Sequence, residues 1–382
     1  MVSLALPPIY HGPVTEWFDL EKVRLGELDA WSKPGVRGHP GLPPALRAFA
    51  RRMDRVRGVR VLDMTGTAGT AGLLAADAGA TEVSVLEPSA AALACARATH
   101  AASGVQVAAG LPWDTPGAGF DTVLLAPPGD RGNLRVEAEI RAAAALLPPD
   151  GRLLLAGDRD AGAKRYEKLA GTLFGSTEVV ERSGGWRLLE ATGPVGDAPA
   201  EPLVRFAAAG LELKAFKGTY AAGKLDPGSG LLLEQLGDAA WLGGKRVLDI
   251  GCGYGLLGLV AAASGGVVTA VDDDLAAVRS TQLNAAAHRL SMQVIHSDID
   301  SRISDAERFD AVITNPPFHV GRGVRLGLPR AFIGAAERRL VRGGTLMLVA
   351  NREQPYEQML EAFSRVERVA DQGAFKVIRA IR

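Results

Sequence analysis

The chain has 382 residues, 47% hydrophobic and 23% charged, which is enough apolar material for a sizeable core and excludes a disordered, collagen-like or disulfide-stapled protein. Its 43 basic residues balance 43 acidic ones, so no global field attracts nucleic acid or an acidic membrane. Cys95 and Cys252 lie far apart and outside any Cys-x-x-Cys pair, so we expect no metal site and favour a reducing cytoplasm. No stretch approaches the roughly 18 apolar residues of a membrane helix.

The two halves of the chain repeat one pattern in the same order. Matching segments are residues 61–63 and 247–249, 83–87 and 268–272, 120–128 and 309–317, and 151–155 and 344–348. Each copy reads strand, turn, Ala/Leu-rich helix, strand, helix, strand, which predicts helices on both faces of a parallel sheet. We therefore predict an α/β protein of two tandem Rossmann-like, doubly wound and mostly parallel domains, residues 1–190 and 203–382, joined by a linker at 191–202.

A basic segment lies early in the first copy. Arg47, Arg51 and Arg55 recur at helical spacing, which predicts one basic face of a helix. Such a face can contact nucleic-acid phosphates, and a solvated helix face is an equally good interpretation. Aromatic residues make up only 5% of the chain, which argues against an extended base-stacking surface and favours binding of one flipped base.

The turns of the first copy lack features that the second copy retains. Thr65 and Thr67 replace two glycines, and Ala126 replaces an asparagine, although Asp63 and Glu87 persist as acids. A β-branched residue is disfavoured at positive φ, and alanine offers no side-chain acceptor. We predict that the residues up to about 190 neither bind a cofactor nor catalyse, and that they stabilise the second copy or hold RNA.

The second copy keeps a glycine-rich turn after its first strand. Gly251, Gly253 and Gly255 permit positive φ and a close approach of a ligand to the backbone. Asp272 ends the next strand, where a carboxylate accepts hydrogen bonds from two ribose hydroxyls. A simple strand-to-helix turn or a dinucleotide-binding enzyme also fits that pair. The G-x-G-x-G spacing and a further acid after the third strand, Asp298, favour a single nucleoside, while a surface role for Asp298 stays open.

The most specific motif is Asn315-Pro316-Pro317-Phe318, which follows a strand and so belongs at the same carboxyl edge of the sheet. An amino group conjugated to a base or an amide is a poor nucleophile because its lone pair is delocalised. The side-chain oxygen of Asn315 and the carbonyl of Pro316 can accept its two hydrogens, and the proline rings hold these acceptors in place. Phe318 can stack on the planar ring. The alternative is a proline-stiffened turn without chemical meaning.

Together these residues resemble class I S-adenosylmethionine-dependent methyltransferases. The resemblance implies that the glycine turn surrounds the methionine part of the cofactor, with Asp249 beneath it. It also implies that Asp272 holds the ribose, that Asp298 contacts the adenine amino group, and that Asn315 lies beside the cofactor. The Asn-Pro-Pro-aromatic signature is shared by enzymes that methylate adenine or guanine amines or glutamine side chains.

The whole chain is similar to the small-subunit ribosomal RNA guanine-N(2) methyltransferases, which pair a degenerate first domain with an active second one. Residues 315–319, 223–233 (GKLDPGSGLLL) and 375–377 carry the match. By resemblance the segment 223–233 closes over the cofactor, and helix capping explains its Asp226 and Ser229 equally well. Arg322 and Arg325 follow the catalytic motif and are candidates to contact RNA.

The resemblance implies transfer of a methyl group to N2 of a guanine in 16S rRNA, with ribosomal RNA or the small subunit as partner. We expect a monomer. The alternatives are methylation of a 23S rRNA guanine, of adenine N6 or of a protein glutamine, and a non-catalytic protein for RNA binding or assembly.

Overall fold

A computed structural model describes residues 17–114, 119–195, 202–317 and 327–382. The strands of the first copy are β1 (Glu21–Leu25), β2 (Leu28–Ser32), β3 (Arg60–Met64), β4 (Glu82–Glu87), β5 (Gln106–Ala109), β6 (Thr122–Leu125), β7 (Arg152–Asp158), β8 (Phe174–Ser183) and β9 (Trp186–Pro194). Its helices are α1 (Leu46–Ala50), α2 (Thr70–Asp77), α3 (Ala90–Thr99), α4 (Asn133–Leu146) and α5 (Ala163–Leu173).

The second copy follows with the same kinds of element. Its strands are β10 (Leu203–Ala208), β11 (Leu211–Phe216), β12 (Arg246–Ile250), β13 (Val267–Asp272), β14 (Met292–His296), β15 (Phe309–Thr314), β16 (Leu340–Asn351), β17 (Arg365–Gln372) and β18 (Phe375–Ile381). Its helices are α6 (Pro227–Leu236), α7 (Leu256–Ala263), α8 (Leu275–Ala287) and α9 (Gly327–Arg339). No helix in the described ranges is both long and apolar enough to span a bilayer.

The two large sheets have seven strands each and identical strand order, β5-β4-β3-β6-β7-β9-β8 and β14-β13-β12-β15-β16-β18-β17. The first five strands of each order are parallel, and the last two pair antiparallel. The predicted tandem α/β fold is therefore confirmed. In each sheet the order reverses beside the first parallel strand, β3 or β12, and ligands of such folds bind at the carboxyl end of that point.

Each copy also carries a hairpin that the sequence analysis did not predict. β1 pairs with β2, and β10 pairs with β11. The hairpins attach to equivalent helices by equivalent bonds. The Trp31 N–H donates to Thr99 Oγ1 at 3.0 Å, and the Lys214 N–H donates to Asn284 Oδ1 at 2.8 Å. The duplicated unit therefore begins upstream of the first parallel strand.

The core of each copy forms where the sheet is covered on both faces. In β12, Val247, Leu248 and Ile250 are fully buried, with the first in one apolar cluster and the other two in another across the sheet. A parallel strand covered on both sides needs such a nearly continuous apolar run. This packing fixes the end of β12, and with it the start of the glycine turn.

The two copies meet around an approximate twofold axis. The Ala90 N–H donates to the Asp273 carbonyl, and the Leu275 N–H donates to the Pro88 carbonyl, each at 2.9 Å. Because β4 ends at Glu87 and β13 at Asp272, Pro88 and Ala90 occupy the positions of Asp273 and Leu275. The rotation that superposes one copy on the other therefore also superposes one of these two hydrogen bonds on the other, as in an isologous dimer interface.

Hairpin ends reach across this interface in both directions. Lys33, just after β2, forms an ion pair with Asp298 of the second copy and is itself buried. At the equivalent position, Phe216 at the end of β11 stacks on Trp113 of the first copy, with ring centroids 5.7 Å apart. One crossing contact is therefore ionic and the other apolar.

Candidate active site

The glycine turn of the second copy has the predicted backbone conformation. Gly251, Gly253 and Gly255 have φ of 75°, 59° and 93°, all in the left-handed region that favours glycine. A Cβ on Gly255 would lie 2.9 Å from Thr281, so that glycine is required for packing against α8. A Cβ on Gly253 would meet nothing within 4 Å. The turn therefore leaves open space above Gly253, where a ligand can approach the backbone.

Asp249 lies beneath this turn and is fully buried. Its Oδ2 accepts a hydrogen bond from the Gly258 N–H at 3.0 Å, whereas its Oδ1 has no partner among the described residues. Burial raises the pKa of this carboxyl to about 7. A buried carboxylate oxygen without a donor is costly, so a cationic amino group brought to the turn would stabilise it. This arrangement fits the amino-acid end of S-adenosylmethionine.

Asp272 ends β13 and remains partly exposed. Its Oδ2 accepts a hydrogen bond from the Gly253 N–H and its Oδ1 one from the Asp274 N–H, each at 2.9 Å. Burial raises the pKa of this carboxyl to about 6. Two backbone amides thus fix the carboxylate, and each oxygen keeps a lone pair for a further donor, which suits the hydroxyls of a ribose.

Asp298 lies in the interface between the copies rather than beside solvent. Its Oδ1 accepts from the Trp17 indole N–H at 3.2 Å, and its Oδ2 accepts from Lys33. Both donors belong to the first copy, and more than 260 residues of chain separate each from Asp298. Sequence reasoning had no signal for these partners. The role of Asp298 at the adenine stays a prediction, since each oxygen retains one lone pair.

Asn315 follows β15 at the same edge of the sheet. Its amide nitrogen donates to Asp226 Oδ2 at 2.8 Å and to Ser229 Oγ at 2.9 Å. Next in the chain, the Pro316 carbonyl accepts no backbone N–H from the described residues. No donor among the described residues engages Asn315 Oδ1 or the Pro316 carbonyl, so these two oxygens can accept hydrogen bonds from a substrate. The sequence motif connects Asp226 and Ser229 only with the segment that closes over the cofactor, and nothing in it links them to Asn315.

Three of the predicted residues, Phe318, Arg322 and Arg325, lie outside the described residues. Their predicted contacts with the base and with RNA stay predictions.

The basic segment of the first copy does not form the single helix that its spacing predicts. It is divided between the five-residue α1 and a separate 3-10 turn. Arg51 pairs with Glu181 at 3.4 Å, and Arg55 pairs with Glu190 at 3.6 Å. Arg47 is exposed and has no ion pair within the described part of the chain. Of the three, Arg47 is thus the best placed to meet a phosphate.

The first copy satisfies internally the carboxylate that corresponds to Asp249. Asp63 Oδ1 accepts from the Thr65 N–H at 2.8 Å and from the Thr65 hydroxyl at 2.6 Å, and its Oδ2 accepts from the Gly72 N–H at 2.7 Å. The positive φ values of this turn fall on Gly66, Ala68 and Gly69, at 62°, 55° and 73°, rather than on the threonines. The threonines thus avoid a disfavoured conformation by a change in backbone path.

Two further positions of the first copy differ from their counterparts in the second. The guanidinium of Arg37 donates to the Ala126 carbonyl at 2.9 Å and to the Pro127 carbonyl at 3.3 Å. Pro127 occupies the position of Pro316. Glu87, at the position of Asp272, is buried, and burial raises the pKa of its carboxyl to about 8. A neutral, buried acid is poorly suited to bind ribose hydroxyls.

Comparisons with known proteins agree with the duplication. A family model described as "Methyltransferase small domain" matches twice, at residues 27–190 and 210–379. The chain is 37% identical to the ribosomal RNA small subunit methyltransferase C of Chromohalobacter salexigens, over 63% of this chain and 73% of the relative. It is 34% identical to the protein of that name from Klebsiella pneumoniae, over 62% and 69%.

One solved structure matches nearly the whole chain. It is a T. thermophilus 16S rRNA N2 methyltransferase in complex with AdoMet (S-adenosylmethionine) and guanosine. The match has a TM-score of 0.87 and 35% sequence identity, and it covers 97% of this chain and 99% of that one.

Proposed function

Because the chain belongs to the methyltransferase small domain family, and within it to the ribosomal RNA small subunit methyltransferases C, we propose that its second copy alone carries the active site. The protein is an S-adenosylmethionine-dependent enzyme that methylates N2 of a guanine in 16S rRNA.

The observation that carries the choice of the second copy is the difference between Asp249 and Asp63. Asp249 keeps one buried oxygen without a partner among the described residues, whereas Asp63 accepts two hydrogen bonds from Thr65 and one from Gly72. Cofactor binding therefore offers a gain at Asp249 that it does not offer at Asp63. Asp249 and the turn from Gly251 to Gly255 hold the methionine part, Asp272 holds the ribose, and Asp298 contacts the adenine.

The catalytic step depends on the two oxygens beside β15. Asn315 Oδ1 and the Pro316 carbonyl accept the two hydrogens of the guanine amino group, which draws its lone pair out of conjugation. S-adenosylmethionine supplies a methyl group on a sulfonium. The methylated nitrogen carries a positive charge until it loses a proton. Because this cationic nitrogen is a strong acid, it releases the proton to water and needs no strong base. Alignment by these oxygens thus supplies most of the rate.

The remaining roles concern the substrate. We assign Phe318 to stacking on the guanine and Arg322, Arg325 and Arg47 to RNA phosphates. The first copy stabilises the second and helps to hold RNA. We further propose that the protein acts as a monomer, since the face through which each copy contacts the other is already covered within the chain. Its two free cysteines favour action in the reducing cytoplasm.

The test is methyl transfer from labelled S-adenosylmethionine to small ribosomal subunits and to free 16S rRNA, with the product mapped by nuclease digestion and mass spectrometry. Wild-type protein should label one guanine at N2, and Asn315→Ala should lower the rate at least about a hundredfold. Label at adenine N6, in 23S rRNA or in a protein glutamine would contradict the assigned substrate. An absence of label with wild-type protein would instead favour a non-catalytic RNA-binding role.

A further inference from the structure

The side-chain amide of Asn315 is held by two neighbours on the α6 segment. One hydrogen of its nitrogen is donated to Asp226 Oδ2 at 2.8 Å and the other to Ser229 Oγ at 2.9 Å. Asp226 is the N-cap of α6, and Ser229 lies in its first turn. Both hydrogens are therefore used away from the position that the guanine occupies in the proposed mechanism.

The chemistry of the partners fixes which end of the amide faces them. An ionised carboxylate only accepts hydrogen bonds, so the group next to Asp226 must be the amide nitrogen. The reversed amide would place Asn315 Oδ1 against a carboxylate oxygen and leave two donors without acceptors. We propose that Asp226 and Ser229 are positioning residues for methyl transfer, which hold Asn315 so that its Oδ1 is the acceptor offered to the guanine amino group. This inference rests on the proposed function.

Asp226 is itself fixed from several sides. It is buried, its Oδ2 also accepts the Ser229 N–H at 2.8 Å, and its Oδ1 accepts the Tyr220 hydroxyl at 2.8 Å. A Cβ on Gly228 would lie 3.1 Å from Asp226 Oδ2, so the glycine leaves room for the carboxylate at this point. Partial burial and the Asp226 carboxylate raise the pKa of the Tyr220 phenol, which keeps it a donor. The carboxylate thus has one orientation.

The duplicated copy provides an internal comparison. Pro44, just before α1, corresponds to Pro227 at the start of α6. Pro43 and Leu46 therefore occupy the positions of Asp226 and Ser229. Asn315 itself is replaced by Ala126. Pro43 and Leu46 are buried and carry no side-chain acceptor, and Leu46 packs in the same apolar cluster as Ala126. Where the chain has lost its catalytic amide, it has therefore lost both partners of that amide as well, as expected if the three polar residues act as one unit.

The experiment combines variants that keep the helix cap but release the amide. Asp226→Ser keeps an N-cap oxygen, because serine caps helices as well as aspartate, yet its shorter side chain no longer reaches Asn315. Ser229→Ala removes the second acceptor. We expect kcat to fall about tenfold in each variant and about a hundredfold in the double variant, with the Kd of S-adenosylmethionine within about twofold of wild type.

Two further variants separate positioning from charge and from capping. Asp226→Asn should restore most of the kcat lost in Asp226→Ser, because its carbonyl oxygen accepts from Asn315 while its amide faces Tyr220. Asp238→Asn is the matched control. That exposed carboxylate accepts the Ala240 N–H at 3.0 Å in the same copy and has no contact with Asn315, so kcat should not change. Thermal unfolding of every variant reports its stability separately.

The decisive measurement is the double variant in an Asn315→Ala background. If Asp226 and Ser229 act through Asn315, they lower kcat no further there. A loss of the same size in both backgrounds, or a loss confined to S-adenosylmethionine affinity, would overturn the inference. The inference would also be overturned if the double variant were fully active while Asn315→Ala was inactive. That result would leave the proposed function intact. Wild-type protein that methylates no guanine would overturn both.

Discussion

The contrast between Asp249 and Asp63 allows the assignment of the cofactor to the second copy to be tested by measuring the Kd of S-adenosylmethionine. Asp249→Asn replaces the unpaired carboxylate oxygen with a group that cannot attract a cationic amine. A hydrogen bond to a charged group contributes about 1.5–3 kcal/mol, so the Kd of S-adenosylmethionine should rise about 10- to 150-fold. The buried charge is lost at the same time, so the variant should be no less stable than wild type at pH 8.

Asp63→Asn is the matched substitution in the first copy. It places an amide nitrogen against one of the donors that converge on Asp63, which should lower the free energy of unfolding by about 1–3 kcal/mol. The Kd of S-adenosylmethionine should not change. Titration calorimetry at pH 8, with a stoichiometry of one cofactor per chain, and urea unfolding measure the two effects. Weaker binding in Asp63→Asn together with unchanged binding in Asp249→Asn would refute the reasoning.

Three further results are expected. Because the raised pKa of Asp249, about 7, leaves it protonated in acid, S-adenosylmethionine affinity measured by calorimetry should rise from pH 6 to pH 8, and Asp249→Asn should show a flatter profile. In Gly255→Ala the new Cβ would lie 2.9 Å from Thr281 at a φ of +93°. Urea unfolding should show a loss of about 2–4 kcal/mol in the free energy of unfolding for this variant, and of about 1 kcal/mol for Gly253→Ala. Equal losses would contradict the packing argument. The raised pKa of Glu87, about 8, means that native Glu87 resists ionisation, so wild-type stability falls as pH rises from about 4.5 to 8. Glu87→Gln should therefore gain in Tm over wild type across that range and bind cofactor unchanged, and a constant Tm difference would count against this.

Local chemistry explains what the sequence could predict. The glycines at 251, 253 and 255, the acid that ends β13 and the Asn-Pro-Pro motif are short patterns with direct physical meaning, and the duplication places them on one fold. The hairpins were missed because their strands have only five or six residues and are held by helices far along the chain. The predicted basic helix failed because α1 ends after one turn.

Long-range pairing was beyond the reach of sequence patterns. Nothing in the sequence near Asp298 indicates that it pairs with Lys33. Nor does any pattern indicate that Arg37 donates to the carbonyls of Ala126 and Pro127. The conformation of the turn at Thr65 was predictable from the sequence only in part. The clash of threonine with positive φ was predictable, but its resolution by a shift of positive φ to Gly66 and Ala68 required the structure.

The approximate twofold axis between the copies has a consequence for how the molecule is allowed to change. Two separate subunits must associate, so the fraction of dimer depends on their concentration and falls when mutations weaken either side of the interface. A covalent tether keeps the two faces at a high effective concentration whatever the expression level. Mutations can therefore remove the catalytic residues of one copy while that copy still packs against the other and stabilises it. Besides the residues that keep each half folded, those that cross the interface, such as Lys33 and Phe216, stay constrained.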